Sequence, residues 1–224
     1  MPEPVRFSTA LRERARAAHE GSEHAGFMSD LVRGKGTRDD YIALVAQHWF
    51  IYDALEAAAE QMKHDPVAAP FITAKLTRLP ALEADLEHLI GPDWHERISP
   101  LPATARYVAR IREVGDTWPG GFVAHHYTRY LGDLSGGQFI GRLMSRQFDL
   151  GTGGIGFYVF DEIADPAAFK DVYREQLDAA GWDDAERERV IDEVLAAYRF
   201  NTDLFHDLAA AKAAAATSAP ASVA

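Results

Sequence analysis

The 224 residues contain no cysteine. That excludes disulfides, iron–sulfur clusters, thiolate-ligated metals and cysteine nucleophiles, so any metal chemistry must use histidine or carboxylate. Positive charge is also scarce. The chain carries 23 Lys and Arg against 34 Asp and Glu, a formal net charge of -11, which argues against a nucleic-acid partner because phosphate backbones are held by clustered cations. No uncharged apolar run reaches about 18 residues, and the N-terminal "MPEPVRFSTALRERARAAHEG" lacks an apolar core behind a basic start. The expectation is a soluble, cytoplasmic chain with no membrane anchor. Strand-like stretches are nearly missing, and no repeat of about 20–50 residues recurs.

What is present reads as helix. With 47% hydrophobic and 11% aromatic residues, the chain can bury one substantial core. Ser8 is expected to cap a first helix that Gly21 ends, with Leu11, Ala15, Ala18 and His19 on one face. Thr37, with Asp40 three residues later, opens the long run "RDDYIALVAQHWFIYDALEAAAEQMKH" as a capping box, and the apolar middle of that run makes it central. "PALEADLEHLIG" and "PATARYVARIREVGD" begin near proline and end near glycine, as helices do. "WPGGFVAHHYTRYLGDLSGGQFIGRLMSRQFDL" is a further long helix, while "GTGGIGFYVF" after it has extended character. Two more helices close an all-α single domain over residues 1–208. The alanine-rich stretch 209–224, ending in Ser, Pro and Thr, is expected to stay unstructured.

The nine histidines include no H-E-x-x-H or paired Glu-x-x-His pattern, and His125 and His126, being adjacent, point about 100° apart on a helix. What remains is a site where one histidine is the protein's single ligand and a bound group supplies the rest. His19 suits that role, with Arg12 about two turns back to meet an anionic group; the alternative is a solvated arginine on an amphipathic helix. In "YTRYLGDLSGG", each glycine weakens a helix by roughly 1 kcal/mol relative to alanine. Gly132 and Gly136 share a side, and Gly137 and Gly141 are expected to extend the same bare surface, with Gly136 and Gly137 acting as a kink. Such a surface admits either another helix or a flat ligand. Asp133 reads either as an ion-pair partner of Arg129 on an exposed face or as a functional carboxylate.

"AHHYTRYLGDLSGGQ", with "FMSDLVRGKGTRDDY", "FIYDALE", "FKDVYRE" and "FNTDLF", resembles the heme oxygenase family, in order, from about Ser8 to Leu208. The resemblance implies heme held between a proximal helix and a kinked, glycine-rich distal helix. His19 matches the axial ligand and Glu23 its orienting partner. Gly132 and Gly136 match the glycines against the heme face, and Asp133 the distal carboxylate that holds ordered water for proton delivery. Arg12, Lys170 and Arg174 match cations for the heme propionates, although relatives often carry lysine where Arg12 stands. Tyr127, Tyr52, Arg129 and Asn201 fall at positions lining the pocket or its water network. The implied reaction opens heme b, both substrate and cofactor, to biliverdin, carbon monoxide and iron. Its co-substrate is dioxygen, its electrons come from a reductase or ferredoxin, and the chain is expected to be a monomer. A heme carrier or sensor would share the pocket without the chemistry. A hydrolase of the distantly similar thiaminase-like fold would need the cysteine that is missing.

Overall fold

A computed structural model describes residues 5–23, 26–151 and 153–218. The helices are α1 (Phe7–Glu23), α2 (Gly26–Val32), α3 (Arg38–Met62), α4 (Leu79–Ile90), α5 (Trp94–Arg97), α6 (Pro102–Thr117), α7 (Pro119–Gly132), α8 (Gln138–Phe148), α9 (Pro166–Ala179) and α10 (Asp184–Ser218). Among the described residues there is no strand. Helix α3 is the hub. Tyr41, Leu44, Val45, Ile51, Tyr52 and Leu55 on it are almost wholly buried, and it packs on α4, α6, α7 and α10.

Its start is local, as expected: Asp40 N–H donates to Thr37 Oγ1 at 3.1 Å and Thr37 N–H to Asp40 Oδ2 at 2.7 Å. Other helices start differently. Ser8 lies inside α1, not before it, and its N–H and hydroxyl donate to Asp178 of α9 at 2.8 and 3.0 Å. Asp207 of α10 accepts the Ala103 N–H at the start of α6 at 2.7 Å, and Glu56 of α3 accepts the Leu79 N–H at the start of α4 at 3.0 Å. Carboxylates from distant helices therefore satisfy amides that a local cap would otherwise meet.

Three further expectations are corrected. Gly21 does not end α1, which runs to Glu23. The segment around "GIGFYVF" forms a 3-10 turn at Gly156–Tyr158 in place of extended chain. Side chains meet its backbone: Asp85 accepts the Gly156 and Phe157 N–H groups at 2.8 Å each, and the Tyr41 hydroxyl donates to the Gly154 carbonyl at 2.6 Å. The alanine-rich stretch is helical as far as Ser218, since alanine is the strongest helix former. It packs no core there, residues 209–217 being exposed, but Lys212 Nζ donates to Asp40 Oδ2 at 2.8 Å. Residues 219–224 lie outside the described residues.

The long glycine-bearing run is helical throughout, but α7 and α8 are joined by a π-helical turn at Asp133–Gly137. A buried ion cluster fixes α7. Arg110 of α6 donates Nε–H and Nη2–H to the two oxygens of Glu193 of α10 at 2.9 and 2.7 Å, and His125 Nε2 lies 2.8 Å from Glu193 Oε1. Burial lowers the His125 pKa, so the ring is neutral at pH 7 and its Nε2–H is the donor. Burial would raise the Glu193 carboxyl, but hydrogen bonds from Arg110 and His125 outweigh it and bring the pKa down to about 2.

Because that pKa is depressed in the folded state, the carboxylate stabilises fully above the unfolded value of 4.5 and loses its contribution as pH falls toward 2. Glu193→Gln should therefore lower unfolding free energy by about 2–3 kcal/mol at pH 7 in urea titrations, with the gap to the parent closing between about pH 4.5 and 2. A gap independent of pH would assign the loss to packing alone.

Candidate functional site

A cleft of about 760 Å³ runs between α1 and the α7–α8 run. From α1 it receives Arg12, Glu13, Ala15, Arg16 and His19, three and four residues apart, so one helix face turns toward it. Tyr127, Leu131, Gly132 and Ser135 form the opposite wall, and Arg174 of α9 and Tyr198 of α10 close its sides. An inner chamber of about 140 Å³ continues it, lined among others by His19, Gly132, Asp133, Gly136, His48, Arg129 and Asn201. His19 and Gly132 line both. His19 is half-buried and packs edge-on to the Tyr198 ring, with centroids 5.6 Å apart.

The glycines divide into two pairs. A Cβ added at Gly132 or Gly136 would meet nothing within 4 Å, so these two leave open space in the cleft wall. A Cβ at Gly137 would come 3.1 Å from Tyr158 Cδ1, and one at Gly141 would come 2.8 Å from Tyr158 Cβ. Gly141 thus does not extend the bare cleft surface, and Gly137, which lines the inner chamber, does so only in part, because the Tyr158 ring packs on both glycines. One pair leaves open space in the cleft wall, and the other admits close packing by Tyr158.

Asp133 faces the inner chamber, and its carboxyl pKa is raised by burial, against the opposing effects of the Arg129 charge and a hydrogen bond from Tyr52. The Tyr52 hydroxyl, whose own pKa burial pushes well up, donates to Asp133 Oδ2. The Arg129 guanidinium lies over the Tyr52 ring, 5.1 Å from its centroid, and donates to Asn201 Oδ1 at 2.9 Å. Arg129 is buried, so the exposed Arg129–Asp133 ion pair considered from spacing is not what forms; Tyr52 stands between them. Arg129 Nε and Nη2 and His48 Nδ1 are buried without a protein partner, the sort of atoms that ordered water serves. Burial drives the His48 pKa far down, so that ring is neutral.

Of the residues singled out in the sequence, His19, Arg12, Tyr127, Gly132, Gly136, Asp133, Arg129, Arg174 and Asn201 line the cleft or its chamber. Arg12 and Arg174 line the cleft with Tyr127, and their charges lower its hydroxyl pKa against the larger upward push of burial. Arg174 also pairs with Asp171 at 2.6 Å. Lys170 stands at the rim, donating from Nζ to Ser135 Oγ at 3.0 Å. Tyr52 does not line the cavity; it acts from behind Asp133. The side chain of Glu23 lies outside the described residues. His125 and His126 are absent from the cleft, bound instead to Glu193 and, at 2.9 Å, to the Tyr173 hydroxyl. Sequence reasoning missed Arg16, which the spacing Arg12, Arg16, His19 could have revealed. It also missed His48 and Tyr158, for which no local signal exists.

The geometry can be set beside known proteins. A family model described as heme oxygenase matches residues 5–207. The human protein named heme oxygenase 1 is 42% identical over 208 residues, covering 92% of this chain and 72% of its own length. A protein of that name from the cyanobacterium Nostoc is 38% identical over 203 residues, covering 90% of this chain and 85% of its own. The crystal structure of Synechocystis heme oxygenase-1 in complex with heme superposes with a TM-score of 0.89 at 34% identity, covering 95% of this chain and 96% of that one. A match of that extent, on a chain whose glycine-walled cleft faces His19, means that the protein belongs to the heme oxygenase family.

Proposed function

We propose that the chain opens heme to biliverdin, carbon monoxide and iron in the cleft between α1 and the α7–α8 run. The observation that carries the reading is the pairing of half-buried His19 with Gly132 and Gly136, whose absent side chains leave the same cleft open. A flat, largely apolar ring with two carboxylates fits such a space: Tyr127, Leu131 and Gly132 on one wall, the His19 imidazole on the other, and the cations Arg12, Arg16 and Arg174 in the lining. Bound heme supplies the iron at which dioxygen, the co-substrate, is reduced and the meso carbon that is oxidised.

The protein's own part is positioning and proton transfer. His19 offers one ring nitrogen from α1, which leaves the glycine side of the cleft for oxygen. Arg12, Arg16 and Arg174, with Lys170 at the rim, hold the carboxylates and so fix how the substrate is turned in its plane. Gly132 and Gly136 let backbone approach closely where a side chain would crowd the reacting atoms. Asp133 Oδ1, the oxygen not engaged by Tyr52, holds water and passes protons through it. Arg129 keeps its guanidinium donors turned to that water and Asn201 keeps Arg129 in place. A carrier or sensor has no use for such a desolvated carboxylate at the open face. The electrons come from a separate reductase or ferredoxin, as the cysteine-free chain offers no iron–sulfur ligand of its own.

Asp133→Asn should leave heme affinity within about threefold and reduce biliverdin formation by roughly a hundredfold or more; an unchanged yield, read by product chromatography, sinks the proton-delivery role. His19→Ala should abolish the axial-nitrogen signature in the heme spectrum, with added imidazole restoring part of the turnover; a normal signature would move the ligand to another histidine. Tyr52→Phe removes the hydrogen bond that opposes burial at Asp133, so the carboxyl should titrate at higher pH. Biliverdin yield at pH 6 relative to pH 8 should then fall in Tyr52→Phe, and an identical pH profile would show that Tyr52 does not tune Asp133.

A further inference from the structure

Three spaces lie in series along the glycine wall. The outer cleft, which holds Arg12, Arg16 and Arg174, meets the inner chamber at His19, Gly132 and Tyr198, which line both. The chamber in turn shares Ser22, Met28, Gly136, Ile140 and Phe205 with a cavity of about 430 Å³ between α2 and α8. Among the described residues none lines both the outer cleft and this last cavity, so the chamber stands between them. Met28, Val32, Phe139, Ile140 and Phe205 make up most of the far cavity's wall, and Arg33 beside them is exposed. Val32 and Phe139 are 37% and 52% exposed, so two of the large apolar side chains left uncovered on the described surface meet at this one opening. A space of that size and lining is of the kind that holds a small apolar group.

We infer that the site also takes hemes carrying a long uncharged hydrocarbon chain of isoprenoid type on the side of the ring away from the carboxylates, with that chain lying in the cavity between α2 and α8. The inference rests on the heme placement proposed above. Arg12, Arg16 and Arg174 draw the two carboxylates into the outer cleft, which directs the opposite side of the ring through the chamber toward Met28, Ile140 and Phe205. Heme b has only methyl and vinyl groups on that side, too little to fill a space of about 430 Å³. A flexible hydrocarbon chain does fill it, and burying it against these side chains removes apolar surface from water on both partners. The opening at Val32 and Phe139 lets a chain longer than the cavity run on over an apolar lip. Asp133, Arg129 and Tyr52 do not line this cavity, so the chain leaves their hydrogen bonds as they are.

Heme o, which carries a hydroxyethylfarnesyl chain where heme b carries a vinyl group, is the probe. Titrated into the heme-free protein and followed in the visible spectrum, heme o should bind within about threefold of the affinity of heme b. Ser29→Trp fills the cavity from α2, and should weaken heme o by about tenfold or more while leaving heme b within about twofold. Should Ser29→Trp fail to fold, Val32→Trp at the exposed lip makes the same comparison. A larger deficit of heme o in the parent protein, or a substitution that weakens both hemes alike or neither, overturns the inference. Heme b that fails to show the axial-nitrogen signature of His19 overturns the placement beneath it, whereas heme b that shows it while heme o stays unbound overturns the inference alone.

Discussion

A phenol ring standing between two buried charges is the contact on which the rest of the site depends. Tyr52 gives its hydroxyl to Asp133 and its face to Arg129, so a carboxylate and a guanidinium share one interior region without touching. A direct pair would quench both. Held apart, Asp133 keeps an oxygen for the chamber and Arg129 keeps donors for whatever enters, while each still offsets the other's cost of burial. The three residues come from α3, α7 and the π-helical turn after it, and Asn201 carries the connection to α10. The Glu193 cluster then ties α7 to α6 and α10 a second time, about a turn earlier on the same helix.

That double fastening answers a weakness built into the distal wall. Gly132, Gly136, Gly137 and Gly141 lie in or beside the π-helical turn, where backbone entropy opposes helix most strongly. On one side Tyr158 covers the bare backbone; on the other, beside Gly132 and Gly136, the backbone faces open space. The wall is therefore incompletely packed by the protein's own side chains, and any ligand that fills the space beside Gly132 and Gly136 would stabilise this helix.

Sequence showed much of this because the governing signals are local. The capping box at Thr37 and Asp40, the heptad-like return from Arg12 to His19, and the spacing of Gly132 and Gly136 are all set within one or two turns. What stayed hidden is set across the fold. Ser8 looks like a cap until Asp178, 170 positions away, takes the role from α9. Tyr158 sits in a segment whose composition suggested extended chain, and side chains from elsewhere, Asp85 of α4 and Tyr41 of α3 among them, hold it in the turn that lays the ring on Gly141. Asp133 could be singled out by resemblance, but its partner could not be read from spacing, because the nearest candidate along the helix, Arg129, is separated from it by a side chain from α3.

The caps borrowed from distant helices also bear on the order of folding. Asp178 meets the start of α1 across 170 residues, Asp207 the start of α6 across 104, and Lys212 the capping carboxylate of α3 across 172. Each bond closes a long loop, and loop closure precedes any reward from the contact it permits. During synthesis the His19 helix and the glycine wall are made early, yet the N-terminus of α1 stays frayed until α9 exists and that of α6 until α10 exists. The cleft is therefore complete only once α9 and α10, which contribute Arg174 and Tyr198 to its lining, have been made and docked.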